Sequence, residues 1–226
     1  MISALIFDFN GTLLFDTEAH STAWREFLQE KTGRVITDTE MRESVQGRPN
    51  PEILRHFLGK LSDEEIRVYA GQKEAKYREL CLRENDWFRL VPGVEAMFDR
   101  LREMGVPFTI ATSSEWENVS FYFEQLGLGR WFTPETLVFA DGKMAGKPAP
   151  DIYLRAMRLL GKEPEECAVF EDSMAGIASA RNAGAGKIVA VDSDWDRETL
   201  LKTDGVTDVL SDFRTVGNDL PWFPQL

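Results

Sequence analysis

Along the chain, apolar and polar positions change rhythm twice. Ala4-Leu5-Ile6-Phe7-Asp8-Phe9 is a short apolar run that reaches an acid and then Gly11. A run this short, closed by a turn residue, predicts a buried strand. Over residues 16–89 the spacing becomes helical. Trp24, Phe27 and Leu28 recur at that spacing, as do Ile53, Leu54, Phe57 and Leu58. The charged stretch from Asp63 to Leu82 is long, with Ile66, Tyr69, Tyr77 and Leu80 as the candidates for its buried stripe. With no convincing strand among them, these residues predict an all-helical insert.

From residue 90 strand and helix alternate. Pro92-Gly93 opens a helix through Met104, and Val106 to Thr112 reads as a strand. Glu115 to Leu126 reads as a helix ended by Gly127, and Thr136 to Ala140 as a short strand. Helices over Asp151–Leu160 and Met174–Ala183 flank a strand at Cys167–Phe170, followed by strands at Lys187–Val191 and Val206–Leu210. This alternation predicts an α/β fold, a Rossmann-like parallel sheet with helices on both faces. Residues 1–15 and 90–226 would form that core. Residues 16–89 would be a helical cap domain over the carboxyl end of the first strand, hinged near 14–17 and 86–91.

Composition narrows the function. The chain has 226 residues, 43% hydrophobic and 28% charged, enough for a core without disulfides or metal staples. Lys plus Arg is 26 and Asp plus Glu 38, a net charge of −12, which disfavours nucleic acid and anionic membranes as partners. No apolar run reaches the length of a membrane span. The first residues lack the basic and apolar regions of a secretory signal, and Cys81 and Cys167 fit no metal or redox spacing. A cytoplasmic monomer is the expectation. With only two histidines, His20 and His56, metal chemistry would rest on carboxylates and a hard ion.

The acids fall where such a sheet binds ligands, beyond the carboxyl ends of its strands. The first strand delivers Asp8 and Asn10 to one side. The second ends in Thr112-Ser113-Ser114, Lys147-Pro148 precedes a helix, and the fourth strand ends in Glu171-Asp172-Ser173. Singly, each has an ordinary structural role as a cap, a turn or a solvated lysine. Together, three carboxylates in a partly buried cleft repel unless a cation and Lys147 neutralise them.

Asp-Phe-Asn-Gly-Thr-Leu at 8–13, the hydroxyl at 112, Gly-Lys-Pro-Ala-Pro-Asp at 146–151 and Glu-Asp-Ser at 171–173 resemble the haloacid dehalogenase superfamily. The run from Glu171 to Gly184 is similar to its β-phosphoglucomutase-like branch, and the resemblance covers nearly the whole chain. It implies a phosphatase working through an aspartyl-phosphate. Asp8 would be the nucleophile, Thr112 a donor to the phosphate, and Lys147 the charge neutraliser. Mg2+ would be held by Asp8, the backbone carbonyl of Asn10 and Asp172, with Glu171 in or just behind that ligand set. Ser113 and Ser114 would face the substrate. From the cap, Thr17, His20, and Gly47 with Arg48 in the Gln46–Pro49 loop would contribute, Arg48 as a clamp for a second anionic group.

One position departs from the pattern. Asn10 stands where the family carries a second aspartate, the general acid and base. An amide donates a hydrogen bond but shuttles no proton at neutral pH. Three readings follow: a phosphohydrolase of a small phosphorylated metabolite such as a sugar phosphate, with attenuated acid–base catalysis or with His20 supplying the proton; a β-phosphoglucomutase-like phosphotransferase inactivated at Asn10; or a protein that binds a phosphometabolite without turning it over.

Overall fold

The computed structural model describes residues 1–45, 48–83 and 87–223. The sheet has six strands: β1 (Ala4–Phe7), β2 (Phe108–Glu115), β3 (Val138–Ala140), β4 (Cys167–Glu171), β5 (Lys187–Val191) and β6 (Asp208–Leu210). Their order is β3-β2-β1-β4-β5-β6, and every neighbouring pair is parallel. The chain moves from β1 outward through β2 to β3 and then returns to β1's other side for β4. That reversal is the switch point where open α/β sheets bind ligands.

The chain divides into two compact units, Met1–Phe15 with Arg89–Leu226, and Asp16–Phe88. The second is helical: α1 (Thr17–Thr32), α2 (Asp38–Ser44), α3 (Asn50–Leu58) and α4 (Asp63–Arg83). Its core gathers Trp24, Phe27, Leu28, Ile36, Met41, Val45, Ile53, Leu54 and Ile66. The helix α2 escaped the periodicity reading because only Met41 of its seven residues is buried. A capping box holds its start, Thr37 accepting from the Glu40 N–H while Glu40 accepts from the Thr37 N–H.

In the first unit the helices are α5 (Val94–Glu103), α6 (Trp116–Leu126), α7 (Asp151–Leu160), α8 (Met174–Asn182), α9 (Arg197–Lys202) and α10 (Val216–Asp219). The last two are too short to have announced themselves by period. Every residue of β1 is buried because alternate positions face different helices. Ala4 and Ile6 join Ile152, Tyr153, Ala156 and Met157 of α7, Ile177 and Ala180 of α8 and Leu200 of α9. Phe7 packs on the other face, stacked on Phe170 at 4.6 Å and edge-on to Phe98 of α5 at 5.4 Å. Phe7→Ala would open a cavity costing about 3–5 kcal/mol. Phe223 closes this face against Phe170, so the aromatic C-terminal segment packs on its own unit.

β3 and β6 each begin two residues later than predicted and β4 ends one later, and β1 and β2 differ at the ends nearest the acids. β1 ends before Asp8 because the chain turns at once: the N–H groups of Thr12, Leu13 and Leu14 all bond the Phe9 carbonyl. β2 runs on through polar Ser113 and Ser114 to Glu115, and its register with β3 shifts between Thr112 and Glu115. Polar residues extend a strand here because they leave the core for the site. Among the described residues, no helix is long and apolar enough to cross a membrane.

Candidate active site

Adjacent strands bring the sequence-predicted acids together. The Asp8 N–H donates to the Phe170 carbonyl at 2.9 Å, so the end of β1 is tied to the end of β4, where Glu171 and Asp172 follow. Oxygens of Asp8, Glu171 and Asp172 lie within 4.8 Å of one another, and all three residues are buried. Lys147 reaches in from the loop before α7. Its ammonium donates to Asp8 Oδ1 at 2.6 Å and also to Glu171 Oε1. Burial opposes that charge, but Asp8 and Glu171 outweigh it and hold the lysine above its ordinary value.

Glu171 is bonded at both oxygens. Oε1 accepts from Lys147 and from the Tyr153 hydroxyl at 3.0 Å. Oε2 accepts from the Ser173 N–H at 2.7 Å and its hydroxyl at 3.0 Å. The first turn of α8 allows this only because residue 176 is glycine: a Cβ there would sit 1.7 Å from Glu171 Oε1. Asp172 accepts from the Thr12 hydroxyl at 3.1 Å. Gly11, at φ 75°, passes so close that a Cβ would lie 2.1 Å from Asp172 Oδ2. Burial, and then the charges of Glu171 and Asp8, push Asp172 well above the usual carboxylate range.

Three buried carboxylates facing one ammonium leave an excess of negative charge that a cation would relieve. An all-oxygen donor set suits a hard divalent ion. The site therefore fits a metal, and Asp8 and Asp172 are its best-placed side chains, since Glu171 is already bonded at both oxygens.

Thr112 is buried on β2 and accepts the Ser114 N–H on its hydroxyl at 3.1 Å, which leaves the hydroxyl proton to donate. Ser113 is exposed. The Ser114 hydroxyl donates to Asn10 Oδ1 at 2.8 Å, and Asn10 Nδ2 donates to the Tyr122 hydroxyl at 2.9 Å. Asn10 is thus tied to β2 and α6 at both ends of its amide, and Tyr122 in turn stacks on Phe9 at 4.5 Å.

The remaining predicted residues belong to the helical unit. Thr17 opens α1. His20, one turn on, stacks on Tyr77 with centroids 3.8 Å apart and planes 5° from parallel. Its Nδ1 is 2.7 Å from Lys73 Nζ, and its Nε2 is 3.4 Å from Asp16 Oδ2. Both ring nitrogens are therefore engaged within the helical unit itself. The Tyr77 hydroxyl donates to Asp16 at 2.5 Å, and Lys73 also meets Glu74 at 2.9 Å. Burial takes Lys73 below the ordinary lysine value, against the pull of Glu74 and Asp16. Arg48 is exposed, donating to the Glu43 carbonyl at 3.2 Å and lying 3.9 Å from Glu52. Gly47, expected beside it, lies outside the described residues.

Sequence reasoning did not assign Thr12, Tyr122, Tyr153, Ser173, Gly176 or Lys73 to these clusters. Thr12, Ser173 and Gly176 lie inside the quoted motifs and could have been found there. Lys73 carried another signal, falling seven residues after Ile66 and four before Tyr77, on the buried stripe of α4.

Comparison with known proteins agrees with this geometry. Residues 2–184 match the family described as haloacid dehalogenase-like hydrolases. A fructose-1-phosphate phosphatase of Escherichia coli is 31% identical over 183 residues, covering 80% of this chain and 93% of that protein. The crystal structure of a HAD hydrolase, family IA, variant 3, from Entamoeba histolytica superposes with a TM-score of 0.88 at 38% identity, covering 94% of each chain. A β-phosphoglucomutase from Clostridium difficile superposes with a TM-score of 0.76 at 27% identity, covering 96% of this chain and 93% of that one. With the four motifs gathered at one sheet edge, these matches place the chain in the haloacid dehalogenase-like hydrolase family, on its β-phosphoglucomutase-like branch.

Proposed function

We propose that this protein is a Mg2+-dependent phosphohydrolase of a small phosphorylated metabolite, acting through an aspartyl-phosphate on Asp8, with Asn10 in place of the usual acid and base. The observation that carries the reading is the Lys147–Asp8 pair at 2.6 Å, set beside an Asp172 bonded to a hydroxyl. The phosphatase relative adds support for the substrate class. Asp8, Asp172 and the backbone carbonyl of Asn10 would hold Mg2+, which would supply positive charge to the phosphoryl oxygens.

The chain's own residues do the rest. The Asp8 carboxylate attacks phosphorus in line; the new O–P bond forms as the bond to the leaving oxygen breaks and that oxygen departs with the electron pair. Lys147 orients the nucleophile and offsets the phosphoryl charge. Thr112 donates its hydroxyl to a phosphoryl oxygen. Glu171, fixed by Tyr153 and Ser173, holds Lys147 in place and so acts as a positioning residue. Water then attacks phosphorus and the Asp8 O–P bond breaks, the water proton passing to the departing phosphate or to solvent, which frees phosphate and restores the carboxylate.

Asn10 provides no proton to the leaving oxygen and takes none from water. Losing a general acid costs about 10²–10⁴ in rate, or roughly 3–5 kcal/mol. Leaving groups that depart as stable anions escape most of that loss, so acyl and aryl phosphates should outrun sugar phosphates. Mg2+-dependent phosphate release from all three classes tests the reading. Asp8→Asn is expected to abolish release, and Asn10→Asp to raise sugar-phosphate turnover by about 10²–10⁴. Substantial release by the Asp8→Asn chain would overturn it. The alternative in which His20 supplies the proton is not favoured, because both its ring nitrogens have neighbours in the helical unit.

A further inference from the structure

We infer that Trp116, backed by Phe139, is a specificity platform that selects phosphomonoesters of an uncharged ring and disfavours substrates with a second anionic group. The inference rests on the hydrolase reading above and adds its substrate class. Trp116 begins α6 directly after β2 and is 41% exposed, although an indole is among the costliest side chains to leave in water. Phe139 lies against it, with centroids 5.4 Å apart and planes at 43°.

This aromatic step is continuous with the site. Phe139 is the register partner of Thr112 across β2 and β3. Two residues before Trp116, Ser114 bonds Asn10 at 2.8 Å, the residue that the proposed function puts in the acid position. The step therefore adjoins the Thr112–Ser114 end of β2, on the Asn10 side of the acids. A flat indole offers the organic part of a substrate a carbon–hydrogen or π face to stack on.

Charge narrows the class further. Glu115 and Glu117 flank Trp116 in sequence, and both are exposed. Two carboxylates beside the platform repel a second phosphate or carboxylate on the substrate, an effect that salt screens. What suits this wall is a monophosphate with an uncharged ring, either a cyclic sugar or a heterocycle.

The test uses the full chain with Mg2+ and five substrates: acetyl phosphate, a cyclic-sugar monophosphate, a nucleoside monophosphate, an open-chain polyol monophosphate and a sugar bisphosphate. Trp116→Ala should raise KM for the preferred ring monophosphate and lower its kcat/KM relative to acetyl phosphate, roughly three- to tenfold. Trp116→Phe should restore most of that ratio. The two ring substrates show whether the ring is a sugar or a heterocycle. Glu115→Gln with Glu117→Gln should improve the bisphosphate relative to the monophosphate several-fold, most at low salt. The inference is overturned if Trp116→Ala leaves the ring-to-acetyl ratio unchanged, if the polyol loses as much as the ring, or if bisphosphate discrimination survives both glutamines. If acetyl phosphate is not hydrolysed at all, the hydrolase reading fails separately. Calorimetry on the Asp8→Asn chain then decides the platform: a ring-monophosphate Kd weakened by Trp116→Ala supports it, and an unchanged Kd overturns it.

Discussion

Each unit of the molecule buries a lysine, and the two are shifted in opposite directions. The Lys147 side chain is 9% exposed and Lys73 is 2% exposed, so water deserts both. Burial disfavours each ammonium. Lys147 nonetheless sits above its ordinary value, because Asp8 and Glu171 both touch it and both are buried themselves. Lys73 falls below, because burial outweighs the pull of the half-buried Glu74 and of Asp16, and its other close partner is a ring nitrogen of His20. The number and burial of the facing carboxylates decide the sign, not the burial of the lysine. The first arrangement spends its ammonium on anions. The second holds its ammonium below the ordinary lysine value.

The largest effect should come from removing the charge that holds three carboxylates together. Lys147→Met is expected to abolish phosphate release and to destabilise the metal-free protein by about 3–5 kcal/mol, since it leaves buried carboxylates uncompensated. Chemical denaturation with and without Mg2+ measures this, and a stability equal to the parent's would break the comparison. Gly176→Ala should act next. Its Cβ would collide with Glu171, displacing a carboxylate from Lys147 and costing about 1–3 kcal/mol, with phosphate release falling alongside.

Asp172→Asn should work the other way on stability. It removes a buried carboxylate whose charged form burial, Glu171 and Asp8 all disfavour, so the metal-free variant should melt roughly 2–4 °C higher for each kcal/mol of that penalty, and the gain over the parent should grow as pH rises. The rise in melting temperature on adding Mg2+ should disappear. A Mg2+ response equal to the parent's would count against Asp172 as a ligand.

Lys73→Met should have the smallest effect at neutral pH, within about 1 kcal/mol of the parent, because an ammonium held below its ordinary value contributes little to stability. The sharper readout is pH. With a folded-state value below 10.5, the folded chain sheds the Lys73 proton before the unfolded chain does. Parent stability should therefore rise relative to the Met variant as pH climbs toward 10.5. A difference that stays flat, or shrinks with rising pH, would show that the carboxylates outweigh burial at Lys73 as they do at Lys147.

Much of the fold could be read from the chain. Runs such as Ala4–Phe7, Cys167–Phe170 and Ile188–Val191 are apolar on every position, which only a strand covered on both faces needs. The gathering of Asp8, Glu171 and Asp172 was legible too, because they stand at or beside strand ends, and Thr112 stands where the apolar part of β2 gives way to polar residues. The ring that supports them was not legible. Tyr153 lies on an apolar face of α7 and reads as core until its hydroxyl is seen on Glu171. Tyr122 similarly reads as a buried aromatic of α6 until it meets Asn10. Lys73 was passed over because its helix is highly charged, although periodicity placed it on the buried stripe.

The sequence alone determined the succession of the strands and the longer helices, the helical insert after the first strand, and the cluster of acids with Lys147. Period and motif spacing are local properties of a chain, so one dimension suffices for them. Only the tertiary structure decided that both oxygens of Glu171 are occupied, that Ser114 and Tyr122 hold the Asn10 amide, that Trp116 stands exposed against Phe139, and that two buried lysines are shifted in opposite directions. Those outcomes depend on partners drawn from distant segments and on how much water each group loses when they meet, and neither is written in the spacing of residues along the chain.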